Sequence, residues 1–169
     1  MIHATPALYG HTLPELLAML GIAAILAVAA IPVFSNLVLE SRMNAAVSTA
    51  MHAVNLARQY SATRGEKIRL CGSGVPVGCT DRHDWTGELL LTDDPDRFRQ
   101  ALALPAAGSP RIRSNRPVLE FEAGTGFATP ATLTLCDRRG ARAARAVIVS
   151  RSGRPRTSVR DASDRVLTC

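Results

Sequence analysis

A 21-residue apolar stretch near the amino terminus constrains this chain more than any other feature. Residues 13–33 have the sequence LPELLAMLGIAAILAVAAIPV, with one carboxylate, Glu15, in the whole stretch. A helix of about 20 apolar residues is long enough to cross the hydrocarbon core of a bilayer. A secretory signal peptide has a shorter apolar core and a cleavage site after it, whereas this stretch continues into a helical pattern. We therefore predict a single membrane span that is retained.

Two residues within the stretch carry further information. Glu15 lies near its start, where a charge in lipid is costly and indicates a functional site with a partner. The simpler alternative is a helix cap, because residues 12–15, TLPE, match a capping box and proline is tolerated in a first turn. Pro32 removes a helical hydrogen bond and is expected to kink or loosen the helix. Both interpretations of Glu15 begin the helix near Thr12.

Beyond the stretch, apolar residues recur at three- and four-residue spacing, at Met43, Val47, Ala50, Met51, Val54 and Ala57. This spacing predicts an amphipathic helix that continues the span and ends near Gly65. Strands are predicted over residues 67–70, 88–92, 118–121, 132–136 and 144–150, and a short helical turn is expected at 96–104. The fold class is α+β, with a long N-terminal helix, half membrane and half amphipathic, packed on an antiparallel β-rich globular domain.

The residues around Glu15 resemble a known processing signal. Residues 10–16, GHTLPEL, followed by the apolar stretch and Pro32, are similar to the class III signal of type IV prepilins and pseudopilins, usually GFTLIEL. The resemblance implies that a prepilin peptidase cleaves between Gly10 and His11 and methylates the new amino terminus. It also implies that Glu15 pairs with the terminal amine of a neighbouring pilin subunit during assembly.

The order of elements resembles the GspH/FimT branch of minor pilins, which have a long N-terminal helix followed by a β-rich domain. The resemblance rests on TLTLC at residues 132–136, RAVIVS at 145–150 and GRPR at 153–156. It implies a pilin-like fold in the bacterial inner membrane, single-pass, with a cytoplasmic N-terminus and a periplasmic C-terminal domain that enters a pilus at the cell surface. The expected organisation is a leader peptide at 1–10, a transmembrane half-helix at 11–35, an amphipathic half at 36–64, a globular domain at 65–150 and a basic C-terminal tail at 151–169.

The chain has four cysteines, all beyond the apolar stretch and therefore expected in an oxidising periplasm, where disulfides are the default. Of the three connectivities that four cysteines allow, we favour Cys71 with Cys79 across a Gly-rich loop, and Cys136 with Cys169, which ties the C-terminus to a strand. A zinc site is the weaker alternative, because the sequence has no C-x-x-C pair and only His83 lies near. We expect no metal and no cofactor.

Recognisable catalytic motifs are absent from the sequence. No Ser, Cys or Lys lies in a pattern that would make His83 or Asp84 a general base. The acidic residues at 93–96 lack the Gly and the distal Glu of a helix-loop-helix calcium site. The sequence therefore predicts a protein that is not an enzyme.

Basic residues outnumber acidic ones by 20 to 14, and 19 of the 20 are arginine. Eight arginines lie within residues 138–160 with no acid between them: Arg138, Arg139, Arg142, Arg145, Arg151, Arg154, Arg156 and Arg160. One interpretation is a solvated tail, or pairing with acids of neighbouring subunits. The other is contact with the phosphate backbone of a nucleic acid. The forked guanidinium group of arginine binds phosphate oxygens, and such contacts do not depend on the base sequence.

The resemblance favours the second interpretation, because FimT-like minor pilins are associated with DNA binding through a GRxR motif in a C-terminal tail. It implies DNA contact at Arg154 and Arg156, with Arg151 and Arg160 added on grounds of charge. The function it implies is a minor type IV pilin that binds double-stranded DNA non-specifically for uptake in natural transformation. The alternative left open is a structural, GspH-like minor pseudopilin of a type II secretion pseudopilus.

Overall fold

The computed structural model of the protein describes residues 12–74, 78–79, 81–94, 97–104 and 108–169. The chain divides into two compact units, Met1–Val38 and Leu39–Cys169. One helix, α1 (Leu13–Arg64), belongs to both. It begins directly after Thr12 and ends directly before Gly65, whose φ of +67° suits a residue that terminates a helix. Both predicted ends of the helix are therefore confirmed.

In the first unit, the helix exposes large apolar side chains: Leu13, Leu16, Leu17, Met19, Leu20, Ile22, Ile25, Leu26, Val28, Phe34 and Leu37. Across the part of the chain that the structure describes, no helix combines the length and the apolarity needed to cross a membrane. The predicted span includes residues 29–33, whose side chains lie outside that part. The span stays a prediction.

In the second unit, α1 buries one face at three- and four-residue spacing: Leu39, Met43, Ala46, Ala50, Ala53, Val54 and Ala57. The predicted apolar face is confirmed, with Val47 and Met51 partly buried at its margin. Alanine dominates this face, and its small side chain lets a helix approach a sheet closely. The helix therefore forms one wall of the core.

Strands supply the rest of the core. Within the described residues they are β1 (Ile68–Gly74), β2 (Gly78–Cys79), β3 (Glu88–Asp94), β4 (Arg97–Ala103), β5 (Arg111–Ser114), β6 (Val118–Phe121), β7 (Ala131–Cys136), β8 (Arg145–Val149) and β9 (Pro155–Ser158). The first sheet has the order β2-β1-β3-β4, with β6 also paired to β1, and the second has the order β5-β7-β8-β9. Among the described residues, the pairings of these strands are all antiparallel. The five predicted strands and the α+β, pilin-like fold class are confirmed.

The predicted helical turn at residues 96–104 is wrong. Residues 97–103 form β4, which pairs with β3 from Glu88↔Ala103 to Asp94↔Arg97. A strand partner satisfies the backbone N–H and C=O groups along β4, whereas a single helical turn leaves most of its own unpaired. Strands β2, β5 and β9 were also not predicted. Residues 151–169, expected as a basic tail, therefore contribute a strand to the second sheet.

Two disulfides join the pairs of cysteines that we favoured from the sequence. The Cα–Cα distance is 5.5 Å for Cys71–Cys79 and 5.8 Å for Cys136–Cys169, both usual for a disulfide. The second one brings the C-terminal residue to the end of β7. It thereby ties the end of the chain to the second sheet, where Leu167 packs with Ala146 and Ile148.

Candidate nucleic-acid interface

The GRPR motif lies in a tight connection between β8 and β9, which we call the arginine turn (residues 150–156). The Gly153 N–H donates to the Ser150 carbonyl at 2.9 Å, and the Ser150 N–H donates to the Arg154 carbonyl at 3.1 Å. The Ser150 hydroxyl adds a contact with Ser152 at 2.9 Å. These bonds close a three-residue hairpin loop whose last residue is left-handed, a common way to join two strands. The motif therefore sits on ordered backbone.

Gly153 is the residue that lets this loop pack on the helix. Its φ is +70°, and a Cβ there would collide with the Gly126 carbonyl oxygen and lie 3.0 Å from Cδ of Arg58. At Gly126, φ is +69° and a Cβ would lie 3.0 Å from Cγ of the same arginine. Two glycines thus enclose the aliphatic stem of Arg58. Arg58 could not be identified from the sequence, because only the long-range contact gives it a role.

The three arginines of the turn are exposed. Arg156 lies opposite Ile148 in the β8–β9 ladder, and Arg154 lies one position before β9. The Arg151 carbonyl accepts from the Ala128 N–H at 2.9 Å, which fixes the backbone but leaves the side chain outside. Among the described residues, no carboxylate forms a salt bridge with Arg151, Arg154 or Arg156. Their guanidinium groups are available to an external anion.

Acidic groups lie near Arg151 at one end of the exposed arginines and near Arg160 at the other. Arg151 lines a groove that also contains Glu120 and Glu122. The Arg160 guanidinium contacts the Asp164 carboxylate at 3.8 Å and donates to the Asp164 carbonyl at 2.8 Å. The guanidinium group of Arg160 is thus partly occupied by contacts with Asp164. Arg154 and Arg156 form the part of the surface that carries unopposed charge.

Two other arginines of the predicted cluster are held in an ion-pair network. Arg139 contacts Glu40 at 2.7 Å and Asp137 at 2.7 Å, and Arg145 contacts Glu40 at 3.3 Å. Burial raises the pKa of Asp137, but hydrogen bonds from Arg139 outweigh it and hold that pKa below its ordinary value. These contacts remove Arg139 and Arg145 from the set that could meet phosphate. The carboxylate of Glu40 comes from α1, about a hundred positions away in sequence.

The residues of the predicted processing signal lie mostly at the edge of what the structure describes. Gly10 and His11 are outside the described residues. Glu15 lies in the first turn of α1, and its N–H donates to the Thr12 carbonyl at 3.1 Å. Its predicted role in assembly stays a prediction.

Comparison with known protein families decides which family this fold represents. The model of the family described as type II transport protein GspH matches residues 46–153, which is more than half of the chain. The chain belongs to the GspH family. This is a family of structural pilin and pseudopilin subunits, so the chain is a minor pilin or pseudopilin that associates with other pilin subunits. Membership of this family indicates an inner-membrane-anchored component of a pilus or pseudopilus.

Solved structures agree on the fold. Two crystal structures of the type IV minor pilin FimU of Pseudomonas aeruginosa PAO1 resemble this GspH-family chain, with TM-scores of 0.54 and 0.57. Sequence identity is 14% and 16%, the matched part covers 69% and 70% of this chain, and it covers 92% and 89% of FimU. No curated protein matches the chain. The match covers most of FimU and supports the same pilin-like fold.

Proposed function

We propose that this GspH-family chain is a minor type IV pilin that binds double-stranded DNA, without sequence preference, for DNA uptake in natural transformation. The observation that supports the proposal most is the arginine turn. Arg154 and Arg156 are exposed and held by a closed hairpin loop, and they lack a carboxylate partner among the described residues. A fixed pair of unopposed guanidinium groups is suited to phosphate, which the Arg fork binds bidentately.

The arrangement favours binding to the backbone rather than reading of bases. Phosphate contacts fix position on a duplex but carry no sequence information. The arginine turn is a short loop, whereas major-groove recognition usually places a helix or a two-stranded ribbon against base edges. DNA captured in this way would be drawn in when the pilus retracts.

The amino-terminal half of the long helix supplies the anchor in this proposal. The row of exposed apolar side chains from Leu13 to Leu37 suits lipid before assembly and the neighbouring helices of a filament afterwards. We propose that residues 11–35 form the transmembrane half, that the N-terminus is cytoplasmic, and that the globular unit is periplasmic. The prepilin peptidase and neighbouring pilin subunits are then the partners of Gly10, His11 and Glu15.

Coexpression with a prepilin peptidase is expected to shorten the chain by its first ten residues. Cleavage between Gly10 and His11 would also leave a methylated amino terminus, because the same peptidase carries out both steps in prepilins. Intact-mass measurement detects both changes. A product of unchanged mass, or one cut after the apolar stretch near Ser35, would contradict the pilin assignment. A Gly10→Val variant, which removes the small residue at the cut, is the matched control and should stay uncut.

The affinity of the full chain in detergent micelles for duplex DNA is expected to fall steeply with salt. If Arg151, Arg154, Arg156 and Arg160 each neutralise one phosphate, they contribute roughly −3 to −4 to the slope of log affinity against log salt. Replacing Arg154 and Arg156 with glutamine should reduce the magnitude of that slope by about two units. Duplexes of unrelated sequence should bind alike. Fluorescence anisotropy over a series of salt concentrations measures each slope.

The control for this experiment is the double variant R138Q/R142Q. It removes the same net charge from two exposed arginines that lie outside the arginine turn. A loss of slope in R154Q/R156Q no larger than in R138Q/R142Q would show that general charge, and not the turn, drives binding. Lysine replacements at 154 and 156 should reduce DNA binding less than glutamine, because they keep the positive charge and lose only the bidentate guanidinium contact.

The second candidate function is that of a GspH-like structural subunit of a type II secretion pseudopilus. The description of the matching family, a type II transport protein, favours it. In that case the exposed arginines would meet acids of neighbouring subunits, and duplex DNA would bind no better to the wild type than to R154Q/R156Q. The anisotropy measurement therefore separates the two functions.

A further inference from the structure

Arginines also stand at the opposite edge of the sheet that carries the arginine turn. Strand β5 is the edge strand, and along it Arg111 and Arg113 are exposed while Ile112 and Ser114 are buried. Ile112 belongs to the main core together with Leu133 and Val147. Because side chains alternate along a strand, Arg111 and Arg113 must project from the outer face of the sheet, away from the core.

The strand registers place Arg156 on this same outer face. Arg113 pairs with Thr134, Thr134 with Ala146, and Ala146 with Ser158, which gives one row across all four strands. In the neighbouring row, Thr132 pairs with Ile148 and Ile148 with Arg156. Residues directly opposite each other in a ladder share a face. The outer face of the second sheet therefore carries arginines at both of its edges.

The separation of the two edges can be estimated from sheet geometry. Three interstrand spacings amount to about 14 Å, and two residues along β9 add about 7 Å at right angles, so Arg113 and Arg156 are about 16 Å apart at the backbone. With a rise of about 3.4 Å per base pair, that distance corresponds to about five base steps of a duplex. One duplex can therefore reach both edges.

Between the two edges, the C-terminal segment (residues 161–169) lies against the face and borders a polar groove beside β5. Leu167 packs on Ala146 and Ile148, and the Cys136–Cys169 disulfide fastens the segment. The groove has a volume of about 490 Å³, and its lining includes His83, Arg113, Thr132, Thr134, Asp161 and Arg165. Its one acid, Asp161, accepts from the side-chain Nε–H of Arg165 at 2.8 Å. The other polar groups of the lining are hydroxyl, amide, imidazole and guanidinium, beside the apolar Ala162, Val166 and Leu167, and these polar groups can donate to an anion.

Within the part of the chain that the structure describes, the guanidinium groups of β5 have no carboxylate partner at short range. Among the described residues, no carboxylate forms a salt bridge with Arg111 or Arg113. Asp84 is the nearby acid, and its carboxylate oxygen accepts from the N–H and the hydroxyl of Thr86. Those hydrogen bonds, chiefly from the Thr86 hydroxyl, lower the pKa of Asp84, with smaller contributions from the two arginine charges. With respect to the described residues, the guanidinium N–H donors of both arginines are therefore available to an external partner.

We propose that Arg111 and Arg113 bind a second phosphate segment of the nucleic acid held by the arginine turn, and that the groove beside Arg113 receives one phosphate group. The inference rests on the proposed function, since it assigns these residues to the same ligand. It enlarges the binding surface from a single loop to the outer face of the sheet. It also gives the C-terminal segment a role, because that segment forms one wall of the groove.

The test compares salt slopes of duplex binding for four forms of the full chain in detergent: wild type, R111Q/R113Q, R154Q/R156Q and R138Q/R142Q. We expect R111Q/R113Q to lose about two units of slope, as R154Q/R156Q does, because each pair contacts about two phosphates. The control R138Q/R142Q should lose less than one unit. Fluorescence of the single, buried Trp85 checks that every variant is folded. An R111K/R113K variant should retain the slope.

The salt slopes of R111Q/R113Q and R154Q/R156Q test the β5 arginines and the arginine turn separately. If R111Q/R113Q behaves like R138Q/R142Q while R154Q/R156Q loses slope, the second segment is refuted and the arginine turn stands. If R111Q/R113Q loses slope and R154Q/R156Q does not, β5 is the binding element and the proposed role of the turn is refuted. If the wild type fails to bind duplex DNA at low salt, both proposals are refuted. Competition by inorganic phosphate at millimolar concentration distinguishes a groove that takes free phosphate from one that takes only the polymer.

Discussion

Replacing Gly153 with alanine is expected to lower the free energy of unfolding of the globular unit by about 2–4 kcal/mol. The left-handed backbone, with φ at +70°, costs an alanine about 1–2 kcal/mol by itself. The added Cβ would also collide with the Gly126 carbonyl and press on the stem of Arg58. Neither neighbour can move freely, because one is backbone and the other is enclosed between two loops and α1. Denaturant unfolding of the full chain, followed by Trp85 fluorescence, measures the loss.

Gly65→Ala is the matched control for this change. Gly65 has nearly the same backbone, with φ at +67°, but a Cβ there would meet nothing within 4 Å. Its replacement should cost only the backbone contribution, about 1–2 kcal/mol. If Gly153→Ala is no more destabilising than Gly65→Ala, then the turn does not depend on close packing against the helix. The same comparison should be repeated for DNA affinity, because a displaced turn loses aligned phosphate contacts without losing charge.

Reducing the Cys136–Cys169 disulfide is expected to destabilise the protein by about 3.7 kcal/mol, against about 2.5 kcal/mol for Cys71–Cys79. The reason is loop length, because a cross-link that closes a longer loop removes more entropy from the unfolded chain. The sequence separations are 33 and 8 residues. The larger loss should also release the C-terminal segment from Ala146 and Ile148 and open the groove beside β5.

Single-disulfide variants isolate each cross-link. C71A/C79A retains only the long loop and C136A/C169A only the short one, and each is unfolded in its oxidised and its reduced form. Comparing two redox forms of one sequence removes the effect of the cavity that alanine leaves at the buried Cys71. A variant without any of the four cysteines should not respond to reductant. Equal losses, or a larger loss for the short loop, would contradict the entropic account.

Much of the fold was predictable because it depends on local patterns. The apolar face of α1 follows the helical repeat, and the end of the helix at Gly65 needs only a residue that accepts positive φ. Strands β3, β6, β7 and β8 are apolar segments between turn residues, and they were predicted at nearly their observed bounds. Sequence could also favour the correct disulfides, since one pair spans a short loop and the other ties the terminus.

Strands β4, β5 and β9 were missed for a common reason. β5 and β9 are short, and all three are edge strands rich in arginine or otherwise polar on one side. Strand preference measures how well a residue fits beside its cross-strand neighbours, and those neighbours are known only once the sheet is assembled. The alternation of RIR at residues 111–113 was the available signal for β5, but three residues are too few to separate a strand from a loop.

The sequence by itself determined the apolar amino-terminal stretch, the pilin-like order of elements and the excess of arginine, because these follow from composition and from local periodicity. The tertiary structure alone decided which arginines are available to a ligand. Glu40 and Asp137 take up Arg139 and Arg145, while Arg154 and Arg156 remain without a carboxylate partner among the described residues. Interactions between exposed charges are largely screened beyond about 10 Å, whereas neighbours in space are often far apart along the chain, as Glu40 and Arg139 are. Tertiary packing therefore decides which arginines pair with a carboxylate. The order of arginines along the sequence does not contain that information.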